Sequence, residues 1–342
     1  MTDTPPTGPF IVAEISGNHN GSLDRALEIV RAVAAAGAHA VKIQTYTADT
    51  ITLDVDTPAF RVSAGHELWG DRTLHDLYEE AHTPWEWHEP IFALARELGL
   101  VAFSTPFDET AVDFLEALDV PLYKIASLEI VDLPLIRQVA ETGKPVILSV
   151  GTGSVSEVAA AVEAARAGGC TDLTLLACTS SYPAVPDDAN LLRMPAMASM
   201  FGCKVGLSDH TLGIGVSVAA AALGATVIEK HVTLARADGG VDSAFSLEPD
   251  ELAQLVVECD AAVRALGSAS TWSTSAENES LRLRPSLYVS APVSAGDTVT
   301  LDNIRSVRPS GGLPPAELPA VLGRTFRSDA GIGTPVSWDL LA

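Results

Sequence analysis

A (β/α)8 barrel followed by a small, mostly β module is the α/β fold class that this sequence predicts, from three observations. Residues 1–266 alternate short apolar runs with amphipathic segments of helical period. The apolar runs number eight. Beyond them the periodicity stops and a short, turn-rich tail follows. Alternating strand and helix means parallel pairing through crossover helices, and eight such units close into a barrel. A doubly wound open sheet is the other arrangement compatible with the pattern.

In chain order the strand runs are Phe10–Ile15, Ala40–Gln44, Val101–Ser104, Pro121–Ile125, Pro145–Ser149, Leu173–Ala177, Lys204–Leu207 and Thr226–His231. Helical periodicity is clear in Leu23–Ala36, Trp85–Leu98, Ala111–Leu118, Val155–Ala167 and Gly213–Leu223. Gly37, Gly99, Gly143 and Gly224 follow helical stretches, where a left-handed residue ends a helix well. Pro121 and Pro145 stand at strand starts, where a missing amide donor is tolerated. The segment Thr45–Leu74 is too long for an ordinary βα loop and is expected to shape or cover a site. Gly267–Glu279 is rich in Ser, Thr and Ala and reads as a linker. The expected organisation is therefore a barrel over 1–266, a linker over 267–282 and a tail module over 283–342. That tail has β-prone runs at Ser286–Val289 and Pro335–Trp338 and is expected to carry little core of its own.

Composition excludes several function classes. Hydrophobic residues make up 47% of the 342, yet no uninterrupted apolar run is long enough for a membrane span. Met1–Pro9 is polar and proline-rich, unlike a signal peptide. Cys170, Cys178, Cys203 and Cys259 show neither metal-ligand spacing nor a dense disulfide pattern, and read as small buried hydrophobes. The expectation is a soluble, cytoplasmic protein. A net charge of −23 argues against nucleic acid and anionic membranes as partners. Only five of the 21 basic residues are lysines, namely Lys42, Lys124, Lys144, Lys204 and Lys230. In a chain that otherwise uses arginine, a lysine inside a strand pattern points to a specific role. An acidic chain that binds an anion must also concentrate positive charge locally.

A barrel of this type forms its active site at the C-terminal ends of the strands. Those ends carry Glu14 and the run Ser16–Gly21; Lys42 and Gln44, which share a face; Ser104–Phe107, including Thr105; Lys124–Ser127, with Glu129 beyond. They continue with Ser149 and Gly151; Cys178–Pro183, including Ser180 and Tyr182; Ser208–Thr211; and Glu229 and His231 on one face, with Lys230 on the other. Two lysines among several hydroxyls make a cradle for a phosphate and a carboxylate. Alternatively Lys42 pairs with Glu14, and Lys124 with Glu129. His210 and His231, ending adjacent strands, could share one divalent metal with positions left open, and such an ion polarises a carbonyl. Glu14, Glu129 and Glu229 are the candidates for acid–base work or for orienting a ligand, and the sequence does not choose between Glu14 and Glu129.

At these residues the chain resembles the sialic acid synthase family. The segments that carry the resemblance are 12–21, Val41–Thr45, Phe103–Phe107, Tyr123–Ser127, Gly206–Thr211 and Ile228–His231. The tail from Ser286 to Leu341 is similar to the antifreeze-like (SAF) module that follows the barrel in that family. The resemblance implies condensation of phosphoenolpyruvate with an acylamino-sugar aldehyde in a domain-swapped homodimer. It implies Mn2+ or Mg2+ held by His210 and His231, and phosphoenolpyruvate contacted by Lys42, Thr105, Lys124, Ser127, Ser149, Ser180 and Ser208. Glu129 would lie near the aldehyde and the attacking water. Gln44, Tyr182 and Asp242 would line the sugar pocket, and Arg308 of the partner subunit would reach the acylamino group. Segments 44–50, 77–88 and 239–247 are most similar to the pseudaminic acid branch, which implies a diacetamido-trideoxy-hexose as the sugar. Val150, Ser180 and Leu128 depart from the pattern, standing where relatives carry threonine, asparagine and an aromatic residue.

Overall fold

The structure is a computed structural model that describes residues 8–62, 69–270 and 274–342. Most of the polar N-terminal stretch, part of the long second loop and three residues of the expected linker lie outside those described. The described residues form two compact units divided between Leu266 and Gly267.

In the first unit, eight strands form a closed parallel barrel in sequence order. They are β1 (Phe10–Glu14), β2 (Ala40–Thr45), β3 (Val101–Pro106), β4 (Tyr123–Ile125), β5 (Val146–Ser149), β6 (Leu173–Cys178), β7 (Lys204–Asp209) and β8 (Val227–His231). β1 pairs with β2 on one side and β8 on the other, which rules out the open sheet. Each strand lies within about two residues of its apolar run. Pro121 and Pro145 sit just before β4 and β5 rather than inside them. The principal helices after the strands are Leu23–Ala35, His88–Glu97, Glu109–Ala117, Leu133–Glu141, Val155–Ala167, Arg193–Phe201, Gly215–Ala222 and Pro249–Ala265. Local chemistry starts several of them. Ser22, Asp108 and Asp132 accept from first-turn amides, and Ser154 forms a capping box with Glu157. Gly37, Gly99, Gly143 and Gly224 all have positive φ at the helix ends, as expected.

Side chains alternate along each strand, so the barrel has an outer and an inner set. The outer set, such as Ile11, Ala13, Val41, Ile43, Leu148 and Leu175, packs against the helices. The inner set begins with an apolar layer of Val12, Ala40, Phe103, Ile147, Leu176 and Val227. Two residues further along the same strands the inner positions are Glu14, Lys42, Thr105, Ser149, Cys178 and Glu229. The apolar layer therefore closes the lumen below and leaves its C-terminal end polar. Gly206 stands in this layer because nothing larger fits: a Cβ there would lie 2.2 Å from the Val227 carbonyl oxygen and 2.7 Å from Leu176 Cδ2.

The second unit pairs β9 (Ser286–Val289) antiparallel with β10 (Ile304–Val307). Isolated bridges join Tyr288 to Pro335, Val293 to Ala330, Thr298 to Thr325 and Phe326 to Leu341. The run Pro335–Trp338 is thus not a strand; only Pro335 bridges, and Trp338–Leu340 forms a 3-10 turn. Contrary to the sequence expectation, this unit has its own apolar cluster: Leu287, Val289, Val293, Val299, Ile304, Val321, Phe326, Val336 and Leu341. These residues are too irregularly spaced for a periodicity reading to detect. Within the expected linker, Asn278–Leu281 is a short helix. No helix among the described residues is long and apolar enough to cross a membrane.

The crowding at Gly206 leads to a direct expectation. Gly206→Ala should destabilise the barrel by about 1–3 kcal/mol through overpacking. A urea titration followed by circular dichroism checks this, and an unchanged midpoint would contradict the packing described.

Candidate active site

The polar end of the lumen opens into a cavity of about 530 Å3. Its lining includes Lys42 and Gln44 from β2, Thr105 from β3, Lys124, Ser149, Ser208, and Glu229 with His231 from β8. The loops that follow the strands add Ser127, Glu129, Tyr182, His210 and Asp242. Twelve of the residues singled out from the sequence therefore share one cavity with Glu229. Three do not line it: Glu14, Ser180 and Arg308.

Four buried charges form its floor. Lys42 makes an ion pair with Glu14 and lies 3.8 Å from Glu229, while Lys124 lies 3.4 Å from the same Glu229 oxygen. The alternative pairing of Lys42 with Glu14 is thus seen, whereas Lys124 faces Glu229 across the lumen and not Glu129. Burial disfavours the charge on Lys42, but Glu14 and Glu229 outweigh it and raise its pKa. Burial lowers the pKa of Lys124, which shares its carboxylate. For Glu229, burial alone would favour the acid form, yet Lys124 and Lys42 hold its pKa below the ordinary value. Lys42 also donates to Thr105 Oγ1 at 3.2 Å, and Ser208 donates to Glu229 at 3.1 Å. Ser149 Oγ is buried without a hydrogen-bond partner. Burying two ammonium groups is costly unless something is gained by it, and two lysines sharing one carboxylate hold a charge that an anion can use.

Glu14 and Glu129 differ in setting. Glu14 is tied to Lys42 and accepts from the Ser16 amide at 2.8 Å. Glu129 lies on the turn Leu128–Val131, lines the cavity and keeps Oε2 without a partner. Burial raises its pKa. Of the two, Glu129 is the one that lines the cavity with an oxygen not held by another group.

The two imidazoles lie with ring centroids 5.3 Å apart. His210 Nδ1 is 2.9 Å from the Thr179 carbonyl, which can only accept, so Nδ1 carries a proton. Burial would lower the pKa of His210, but Cys178 and that carbonyl outweigh it and raise the pKa. Burial, reinforced by nearby cations, lowers the pKa of His231 well below the ordinary value and keeps it neutral. A metal requires the neutral imidazole with its lone pair, the form in which His231 is held. Among the described residues no group of three or more His, Cys, Asp or Glu side chains is arranged to hold a metal. The pair therefore fits an ion that keeps most of its coordination shell as water or substrate oxygen.

Ser180 belongs to a flank of the same site. A Cβ at Gly151 would lie 2.4 Å from Ser180 Oγ and 3.0 Å from Ser127 Oγ, so bare backbone approaches both hydroxyls. Cys178 is buried there, as a small hydrophobe would be, but its neighbours are polar. Burial would raise its pKa; the hydrogen bond and charge of His210, with Ser127 and Lys124, outweigh this and lower it to about 7. Arg308 belongs to the second unit, where it lines a separate groove with Tyr288, Arg305 and Ile332.

The sequence reading missed much of the outer wall. Ile51, Val62, Trp69 and Leu74 come from the long second loop, whereas Leu77 and Tyr78 on the helix Leu74–Ala81 and Val241 in the eighth loop fall within the segments 77–88 and 239–247 noted above. Trp69 Nε1 donates to the Val241 carbonyl at 2.9 Å and so joins the two loops. The loop's length signalled a functional role, but nothing in an aperiodic segment tells which residues turn inward. Ser16, named from the sequence only as part of the run Ser16–Gly21, also lines the cavity; its φ is +47°. A non-glycine residue is held there only where its surroundings over-determine it. Its amide holds Glu14, and its hydroxyl bonds Asp242.

A (β/α)8 barrel with a cationic floor and paired imidazoles at the C-terminal ends of its strands has the layout of a small-molecule enzyme acting on anions. Comparison with known proteins agrees: residues 29–271 match the NeuB family and 284–342 the SAF domain. The chain belongs to the NeuB family. It is 41% identical over 332 residues to the pseudaminic acid synthase of Helicobacter pylori, covering 97% of each chain. It is 40% identical to that of Campylobacter jejuni serotype O:2, covering 95% of this chain and 94% of the other. Among solved structures, the N-acetylneuraminic acid synthetase of Leptospira borgpetersenii superposes with a TM-score of 0.71 at 32% identity, covering 80% of this chain and 91% of that one.

Lys42→Met would leave Glu14 buried without its partner. The expected cost is about 3 kcal/mol, at the lower end for a broken buried pair because a carboxyl of raised pKa can take up a proton. Lys42→Met with Glu14→Gln should recover most of that stability without recovering anion binding. Urea titration and calorimetry with phosphoenolpyruvate check the two halves separately.

Proposed function

We propose that this chain condenses phosphoenolpyruvate with an open-chain acylamino-sugar aldehyde, giving a nonulosonic acid and phosphate. The observation that carries the reading is the buried pair Lys42 and Lys124 sharing Glu229 beneath the cavity. That floor suits a ligand bearing both a phosphate and a carboxylate. Ser149, with its free buried hydroxyl, and Thr105, Ser127, Ser180 and Ser208 would complete the cradle. A divalent ion, Mn2+ or Mg2+, would be held by His210 and His231 and would supply Lewis-acid polarisation of the aldehyde.

The methylene carbon of phosphoenolpyruvate attacks the aldehyde carbon, forming the new C–C bond. Water adds to the resulting oxocarbenium centre, and the tetrahedral intermediate expels phosphate by C–O cleavage. Lys42 and Lys124 stabilise the anionic species from a site that is already desolvated. Glu129, whose burial favours the acid form, donates a proton to the developing alkoxide, and the carboxylate so formed takes one back from the attacking water. Gln44, Tyr182 and Asp242 orient the sugar. Arg308 of the partner subunit would reach the acylamino group in a domain-swapped homodimer.

The outer wall bears on which sugar is used. Ile51, Val62, Leu74, Leu77 and Val241 face the cavity with apolar groups. They suit acetamido and deoxy methyl groups better than the hydroxyls of N-acetylmannosamine. This supports a diacetamido-trideoxy-hexose, the pseudaminic-type substrate.

Phosphate release from phosphoenolpyruvate with Mn2+ tests the reading, with the altro-configured diacetamido-trideoxy sugar, its legionaminic-type epimer and N-acetylmannosamine offered separately. Release with the first sugar, abolished by a chelator, is expected. Release with only another of the three would move the substrate to that branch. No release with any, from folded and metal-loaded protein, would overturn the synthase reading. A pH profile adds a second check. As a proton donor Glu129 must be protonated, so kcat should fall as pH rises through its raised pKa. Glu129→Gln should lower kcat by about 10²–10⁴-fold and remove that limb.

A further inference from the structure

Behind the two imidazoles, on the outer face of the barrel, lies a second buried charge cluster that does not line the cavity. β7 and β8 are in parallel register, with Ser208 opposite Glu229 and Asp209 opposite Lys230. Alternation sends Ser208 and Glu229 into the lumen and the other two outward, under the helix Gly215–Ala222. Lys230 and Asp209 form an ion pair at 3.1 Å with side-chain exposures of 0% and 1%. Asp209 Oδ2 also accepts from Ser217 Oγ of that helix at 2.6 Å. Asp209 Oδ1 accepts from the amide and the hydroxyl of Thr211 at 2.9 and 2.8 Å, and Lys230 donates to the Thr211 carbonyl.

His210 thus sits between two residues of this cluster, and His231 directly follows a third. We infer that Asp209, Lys230, Thr211 and Ser217 form a positioning element that sets the spacing of His210 and His231 and thereby the affinity for a divalent ion. This rests on the metal reading proposed above. A buried ion pair is a poor stability device, since apolar residues of similar volume serve as well or better. An apolar pair, however, could not hold the amide, hydroxyl and carbonyl of Thr211. His210 is oriented by its bond to the Thr179 carbonyl, but His231 leaves this need unmet. His231 Nδ1 has no hydrogen-bond partner, and the nearest carboxylate, Asp242, is 3.9 Å away. The usual outer-shell bond that orients a metal-binding imidazole is therefore missing at His231. Its direction depends on the backbone that Lys230 anchors and on Phe245, whose ring centroid is 5.0 Å away.

The test compares Mn2+ affinity, by calorimetry and electron paramagnetic resonance, with urea stability in the full chain. The double variant Asp209→Leu/Lys230→Met should remain folded, its urea midpoint lowered only by the loss of partners at Thr211 and Ser217. Its Mn2+ affinity should nevertheless drop about 10–100-fold, the range for loss of outer-shell support. Ser217→Ala, which keeps the ion pair, should fall between the two. A folded double variant with wild-type Mn2+ affinity overturns the inference while leaving the metal reading intact. If the double variant does not fold, Ser217→Ala and Thr211→Val decide: wild-type affinity in both overturns it, and weakened affinity at wild-type stability supports it. A wild type that binds no Mn2+ overturns the metal reading and this inference with it.

Discussion

Closure of the barrel between β1 and β8 is the constraint on which the rest of this structure depends. Ladder hydrogen bonds join the first strand to the last, with Glu14 opposite His231 and Val12 opposite Glu229. Once the ring is closed, the pleat dictates which residues face the lumen, and every second residue of each strand projects toward a common axis. Lys42, Lys124 and Glu229 come from strands far apart in sequence, yet they meet because the ring leaves them nowhere else to point. An open sheet of the same strands would not make these neighbours.

The lumen divides into two layers with opposite physical character. Below, Val12, Phe103, Ile147 and Leu176 are packed as tightly as any core, and Gly206 shows how little room remains. Above, two ammonium and two carboxylate groups are withdrawn from water almost completely. In a chain with net charge −23 the long-range field opposes an incoming anion, so binding must come from charge placed at short range in a medium of low dielectric. Glu229 is shared by the two lysines and cannot neutralise both, and Glu14 holds Lys42 from the other side. Among the described residues lining the cavity, the Ser149 hydroxyl, Glu129 Oε2, Glu229 Oε2 and His231 Nδ1 are buried without partners and are left for a ligand.

The rim is built differently. Its residues come from loops, and they are held by bonds between loops rather than by ladder pairing. Trp69 to Val241 and Ser16 to Asp242 join the first, second and eighth connections around the cavity. Asn18 extends this network, donating to the Val232 carbonyl and to Ser246 Oγ at 2.8 Å each. A rigid floor under a loop-built wall is the arrangement in which a common chemistry can be kept while the accepted sugar changes.

What the sequence by itself determined follows from its two short periods. Alternation of apolar runs with helical segments specified eight strands and their parallel pairing, and pointed to a closed barrel over an open sheet. The period of two within each strand placed Lys42 with Gln44, and Glu229 with His231, on one face. Lysine usage was equally legible: Lys42, Lys124 and Lys230, the three in strand interiors, are the buried ones, whereas Lys144 and Lys204 make surface pairs. What only the tertiary structure decided is partnership across space. Lys124 meets Glu229 and not the nearby Glu129, because the lumen sets distances that sequence separation does not encode. Likewise only the structure shows that Glu14 is already held by Lys42 while Glu129 keeps one oxygen without a partner. The outer wall and the small unit's core remained hidden for a third reason. Both are made by aperiodic segments, whose inward residues are selected by loop closure and isolated bridges rather than by any repeat in the chain.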